Sequence, residues 1–182
     1  MAADRMPGLM PTKSTRTGRR TRSFKRRGAA SDATMARMNW LFKEEPSSYS
    51  FDAFVADGST VWSGVRNPLA QKHLHGVKRG DRIFYYHTGG EKAVVGIAKA
   101  LGDARPDPDD PAGKRAVVEI GPVKKLARPV PLAEIKADRA FKTFPLVRLA
   151  RLSVMPVEDA EWERIEQMAR QPAAEAKRRR PR

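Results

Sequence analysis

Residues 82–101 read RIFYYHTGGEKAVVGIAKAL, and the way this stretch folds decides the architecture. Arg82–His87 and Ala93–Leu101 are rich in β-branched and aromatic side chains, and the Thr88-Gly89-Gly90-Glu91-Lys92 between them carries the paired glycines of a turn. That pattern predicts a β-hairpin. Period-two alternation along RIFYYH sends Tyr85 and Tyr86 to opposite faces, so at most one of them lines a given pocket.

Towards the N-terminus, Asn39-Trp40-Leu41-Phe42 is a first strand, broken by Glu44-Glu45-Pro46. Ser50 is placed to cap a short helix with Phe51, Phe54 and Val55 on one side and Gly58 at its end. A second helix is signalled by Asn67 as cap, Pro68 at the first helical position, Leu69 and Leu74 as apolar positions and Gly76 as stop. Towards the C-terminus, Asp103–Lys114 is an Asp/Pro-rich loop and Ala116–Lys125 a strand with a bulge at Gly121-Pro122. Pro131 opens a short helix through Ile135, Arg151-Leu152-Ser153-Val154 is one more strand, and Glu158–Ala169 is an amphipathic helix with Trp162, Ile165 and Met168 inward. Five or so strands with helices in the connections predict an α+β domain around a small curved sheet or barrel.

The charge is unevenly spread. The 182 residues carry a formal net charge of +15, but residues 1–37 hold 10 basic and 2 acidic side chains, residues 38–169 hold 20 and 18, and residues 170–182 hold 6 and 1. The middle is almost neutral, so the two ends, not the domain, supply the basic character. Thr12–Arg27 has only Phe24 as a sizeable apolar group, and both ends are expected to be disordered basic tails. They are either phosphate-attracting arms or solvated extensions, the first of them lying upstream of the protein if translation begins at Met35 or Met38. With no cysteine, disulfides and thiolate metal sites are excluded. No run approaches the ~18 apolar residues of a membrane span, and residues 1–37 lack the apolar core of a secretory signal.

Enzymatic patterns come up short. His73 and His75 diverge on a helix, and His87 has no acidic residue at ligand spacing. Gly89-Gly90 lacks the Lys-Ser/Thr of a phosphate loop, and Ser63 and Ser153 lack a nucleophile elbow. No catalytic residue, metal or cofactor is expected. The flat and donor-bearing side chains that remain, Trp62, Arg66, Asn67, Tyr85, Tyr86 and His87, sit at strand ends and loop junctions where they suit a planar heterocycle.

Five segments, in order and spacing, resemble the EVE domain family: MNWLFKEEP at residues 38–46, WSGVRN at 62–67, FYYH at 84–87, GIA at 96–98 and RLSVMPV at 151–157. The resemblance covers residues 38–169 and implies a PUA-like fold, a strongly curved mixed sheet or pseudo-barrel flanked by short helices. It further implies a non-catalytic module that reads a modified nucleobase, with methylated or hydroxymethylated cytosine in DNA as leading candidates. On the matching positions it implies a base-binding pocket of Lys43, Trp62, Val65, Arg66, Asn67, Tyr86, His87, Arg151, Leu152 and Ser153. Two departures stand out: Glu44 replaces the family's usual serine, and Ala70-Gln71-Lys72-His73 replaces its alanine-arginine-asparagine. The expected partner is nucleic acid bearing modified bases, with no membrane; the chain is expected to be a monomer, cytoplasmic in a bacterium or nuclear in a eukaryote. Three other readings stay open: an RNA-binding module, an enzyme acting on modified bases through His87, and a basic scaffold protein with no base pocket.

Overall fold

The computed structural model describes residues 37–171; apart from Arg37, Arg170 and Gln171, both expected tails lie outside them, and Arg170 belongs to the last helix. Seven strands form a mixed sheet in the order β2-β6-β4-β3-β1-β7, with β5 paired to β6. They are β1 (Asn39–Glu44), β2 (Thr60–Trp62), β3 (Arg82–His87), β4 (Ala93–Ala100), β5 (Arg105–Pro106), β6 (Ala116–Pro131) and β7 (Val154–Val157). The predicted hairpin is β3–β4, with Phe84 opposite Ile97 and a register shift between Tyr85 and Tyr86. Strand β1 runs parallel to β3, with Phe42 beside Tyr85 and Lys43 beside Tyr86, and antiparallel to β7.

Strand β6 is the curling element. It runs 16 residues, well past the predicted Lys125. Its register against β4 shifts twice, once where Ile97 and Ala98 oppose Lys124 and Pro122, beside the predicted bulge. The second shift is larger, because Val94 and Gly96 oppose Val130 and Lys125. Extra residues on one strand bend it and increase its twist, so one strand serves two directions of the sheet.

Five α-helices occupy the connections: α1 (Phe51–Asp57), α2 (Pro68–His75), α3 (Leu132–Ala137), α4 (Pro145–Arg148) and α5 (Asp159–Arg170), with a 3-10 turn at Arg139–Phe141. Ser50 Oγ accepts from the Ala53 amide at the start of α1, and Gly58 ends it in the left-handed region at φ 76°. Asn67 Oδ1 accepts from the Leu69 and Ala70 amides at the start of α2. Helix α2 touches β7 at one edge of the sheet and β6 near the other, as a strongly curved sheet requires. Helix α5 begins one residue later than expected because Glu158 is its cap, in a capping box with Glu161.

Alternation divides the core in two. Phe42 and Tyr85 face α1, where Tyr85 meets Phe54 at 5.5 Å between ring centroids and Phe51 at 5.3 Å. Phe84 faces the other way and stacks on Trp162 of α5 at 3.7 Å. Trp162, Ile165 and Met168 are buried, as their spacing predicts.

Several expectations need correction. Arg151–Ser153 is not strand: β7 starts at Val154, and the preceding residues turn out of α4. Val55 and Leu69 are exposed, since α1 and α2 bury narrow faces on which Phe51 and Phe54, or Ala70, Gln71 and Leu74, suffice. Pro131 ends β6 and caps α3 instead of opening it. Short β2 and β5 have too few residues for a periodic signal, which is why five strands become seven.

Candidate nucleic-acid interface

Strand β2 pairs Trp62 with Val118 of β6 and turns its indole into the core. Only 5% of Trp62 is exposed, because the indole lies 5.0 Å from the Phe42 ring and meets Tyr85 edge-on at 5.7 Å. Tyr85 is held in turn by its hydroxyl, which donates to the Tyr49 carbonyl at 2.9 Å. Trp62 is therefore a core aromatic.

The chain then leaves the sheet. Ser63, Gly64, Arg66 and Asn67 are exposed, while Val65 is buried. The loop is clamped by Gln71, whose buried Nε2 donates to the Val65 carbonyl at 2.7 Å and whose Oε1 accepts from the Ala116 amide at 2.8 Å. One side chain thus ties the loop, α2 and the start of β6 together. Sequence reasoning noted Gln71 only as a departure from the family pattern. The available signal was its position four residues after the cap Asn67, on the same side of the helix as the cap.

A second group gathers on the other face of the β1–β3 pair. The Lys43 ammonium lies 5.8 Å from the Tyr86 ring centroid and donates to the Ala150 carbonyl at 3.0 Å, while its backbone amide donates to the Ser153 carbonyl at 2.9 Å. Burial lowers the Lys43 pKa from its ordinary 10.5 to about 8 and pushes the Tyr86 hydroxyl up to about 12. Leu152 is buried beneath this segment and Arg151 is exposed on it. The role of the Ala150 carbonyl had no counterpart in the sequence, because any residue supplies one.

Nine of the ten residues implied by the resemblance thus fall into two groups. Trp62 ends β2 and Val65, Arg66 and Asn67 follow it, and Lys43, Tyr86, Arg151, Leu152 and Ser153 cluster where β1 meets the segment before β7. They adjoin through β1, where Phe42 touches Trp62 and the next residue is Lys43.

His87 stands apart. Its Nε2 accepts from the Phe51 amide at 3.0 Å, and its Nδ1 lies 2.6 Å from Glu91 Oε2. Accepting at Nε2 places the ring proton on Nδ1, where it is donated to Glu91. His87 is 7% exposed, so it caps the first turn of α1 from the sheet. Of the other histidines, His73 lies 6.2 Å from the Trp40 ring and His75 Nε2 lies 3.2 Å from the Lys114 carbonyl. Among the described residues, no group of three or more His, Asp or Glu side chains is arranged to hold a metal ion, and no helix is long and apolar enough to cross a membrane. A surface cleft of about 240 Å³ lies between residues 124–127 of β6 and Glu166, Ala169 and Arg170 of α5. None of the ten residues lines it.

Residues 38–168 match the family model described as the EVE domain. Thymocyte nuclear protein 1 of Homo sapiens is 30% identical over 159 residues, covering 69% of this chain and 71% of its own length. Among solved structures, Rpa0253 from Rhodopseudomonas palustris superimposes with a TM-score of 0.70 at 43% identity, over 72% of this chain and 92% of that one. The human THYN1 protein in complex with 5-methylcytosine-containing DNA superimposes with a TM-score of 0.68 at 25% identity, over 75% of this chain and 99% of that one. With a matching model across most of its length and the curved mixed sheet that model entails, the chain belongs to the EVE domain family.

Proposed function

We propose that the domain at residues 38–169 is a non-catalytic nucleic-acid-binding module that takes a modified base, methylated or hydroxymethylated cytosine in DNA, at the junction of the two groups around Trp62 and Lys43. The observation that carries this reading is the likeness to the human THYN1 structure solved with 5-methylcytosine-containing DNA. The arrangement of this chain agrees with it. Arg66 presents an exposed guanidinium on the loop after β2 and Lys43 a half-buried ammonium beside Tyr86, two cations that suit an anionic backbone. No proton-transfer group points outward from His87, both of whose ring nitrogens are bonded within the protein, so a binding role is favoured over an enzymatic one.

Flipping a base out costs a few kcal/mol, which the contacts of the inserted base have to offset. A methyl group in an apolar niche adds about 1 kcal/mol, and a satisfied hydroxyl adds about as much. The expected preference over plain cytosine is therefore about fivefold for the methylated and about thirtyfold for the hydroxymethylated base. The basic ends belong to the same proposal as sequence-blind anchors, and the protein acts as a monomer in the bacterial cytoplasm or a eukaryotic nucleus. The test is fluorescence anisotropy of the full chain with one oligonucleotide carrying plain, methylated or hydroxymethylated cytosine at near-physiological salt. A preference of the stated size supports the proposal; equal affinities overturn it. A matched RNA that competes better than the DNA moves the reading to RNA.

A further inference from the structure

The ion pairs of the described residues are unevenly placed. On β6 and α5 the cations are matched: Lys124 with Glu166, Lys125 with Asp52, Arg128 with Glu134, Arg164 with Asp138 and Arg170 with Glu166, at 2.6–3.7 Å. Elsewhere many exposed cations have no such partner, among them Arg66, Lys72, Lys99 and Lys142, and so do those of the segment from α4 to β7. Arg148 and Arg151 are exposed, and neither has a carboxylate within ion-pair distance among the described residues. Lys43, bonded to Ala150 between them in sequence, has none either; its contacts are a carbonyl and a tyrosine ring. Among the described lysines and arginines without such a partner, Lys43 alone is partly buried.

We infer that Lys43, with Arg148 and Arg151 on the segment it is bonded to, binds a phosphodiester of the nucleic acid beside the inserted base. The inference rests on the proposed function in taking nucleic acid as the ligand, but assigns Lys43 to the backbone and not to the base. A half-desolvated ammonium without a carboxylate gains more from a phosphate than a matched surface lysine does, because no existing pair has to be broken. The carbonyl of Ala150 aims the amine while leaving its other hydrogens to donate.

The same burial makes the contact sensitive to pH. Lys43 keeps its proton below about 8, and the groups that face it do not change charge near that value. Tyr86 on β3 stays neutral up to about 12, and Ser153 is a hydroxyl. Glu44, next on β1, points to the opposite face and accepts from the Glu45 amide at 2.9 Å. Phosphate binding by Lys43 is accordingly present near neutrality and lost as pH rises through and above 8.

The experiment measures affinity of the full-length wild type, Lys43→Met and Lys43→Arg for a methylated duplex as a function of salt, at about pH 7 and about pH 9.5, with circular dichroism to establish folding. Lys43→Met is expected to reduce the slope of log K against log salt by about 0.9 at the lower pH. Wild-type affinity is expected to fall roughly tenfold at the higher pH, while Lys43→Arg, whose charge does not titrate there, keeps most of its affinity. Equal slopes and equal pH profiles for wild type and Lys43→Met overturn the inference. So does a Lys43→Met protein that loses base preference with its slope unchanged, which makes Lys43 a base reader. Inorganic phosphate that displaces the oligonucleotide at matched ionic strength overturns the backbone assignment in favour of a free-phosphate site. If the wild type shows no base preference while the slope and pH differences persist, the base-reading proposal fails and the phosphate contact stands.

Discussion

At the scale of single residues, Trp62 and His87 show how a side chain suited to a ligand can be committed to the fold. Trp62 packs on Phe42 and Tyr85 with 5% of its surface exposed, so removing it leaves a cavity in the aromatic cluster. Trp62→Ala is expected to cost about 3–5 kcal/mol, a large part of the 5–15 kcal/mol typical of a domain; Trp62→Phe keeps a ring against Phe42 and should cost less than half as much. Urea unfolding of the two variants checks this, and equal losses would show that the indole is not packed as described. Nucleic-acid binding by Trp62→Ala alone thus cannot separate recognition from folding, whereas the phenylalanine variant can. His87 was legible as a histidine at a strand end, but its two bonds, to an amide 36 positions earlier and to a carboxylate four positions later, belong to different distances along the chain. Only the local one, to Glu91, has a sequence spacing to read.

At the scale of elements, strand and helix signals were strongest where local chemistry is self-contained. Ser50, Gly58, Asn67 and Pro68 mark the ends of α1 and α2 as their capping chemistry predicts. The packing of α1 on β4 depends on a residue that gives no such signal. A Cβ on Gly96 would overlap the ring of Phe51, which lies directly over the strand. Gly96→Ala is therefore expected to destabilise the protein by about 1–3 kcal/mol and to loosen α1 first. Hydrogen exchange should show faster loss of protection in residues 51–57 than in β3; uniform loss would contradict the close approach. The loop that carries Arg151–Ser153 shows the reverse case. Its β-rich composition suggested a strand, but β7 pairs with Asn39–Phe42 of β1 only, and the earlier residues turn away and reach Lys43 through backbone groups.

At the scale of the molecule, burial of ionisable groups gives stability a defined pH dependence. Folding lowers the Lys43 pKa to about 8 from 10.5, so between these values the unfolded chain binds more protons and stability rises with pH. Tyr86 is shifted the other way, from 10.0 to about 12, and Tyr85 is raised by burial as well. Their contribution is complete below 10 and is lost above it as the unfolded tyrosines ionise. Urea midpoints of the wild type should climb from about pH 8 to about pH 10 and then decline. Lys43→Met should lack the climb and keep the decline; a climb that persists in that variant would assign it to another group.

By itself the sequence determined the element types, the central hairpin, the capped helices, the inward face of α5, the family and the concentration of charge at the chain ends. Each of these is written in periodicity, turn chemistry or motif order over a few residues, where neighbours in sequence are neighbours in space. Tertiary structure alone decided that Trp62 belongs to the core, that Gln71 clamps its loop to β6, that β6 turns through two register shifts, and that Lys43 meets Ala150 with no carboxylate beside it. Most of those contacts join residues 20 to more than 100 positions apart, and which of them form depends on how the curved sheet shares a limited interior among several apolar faces at once.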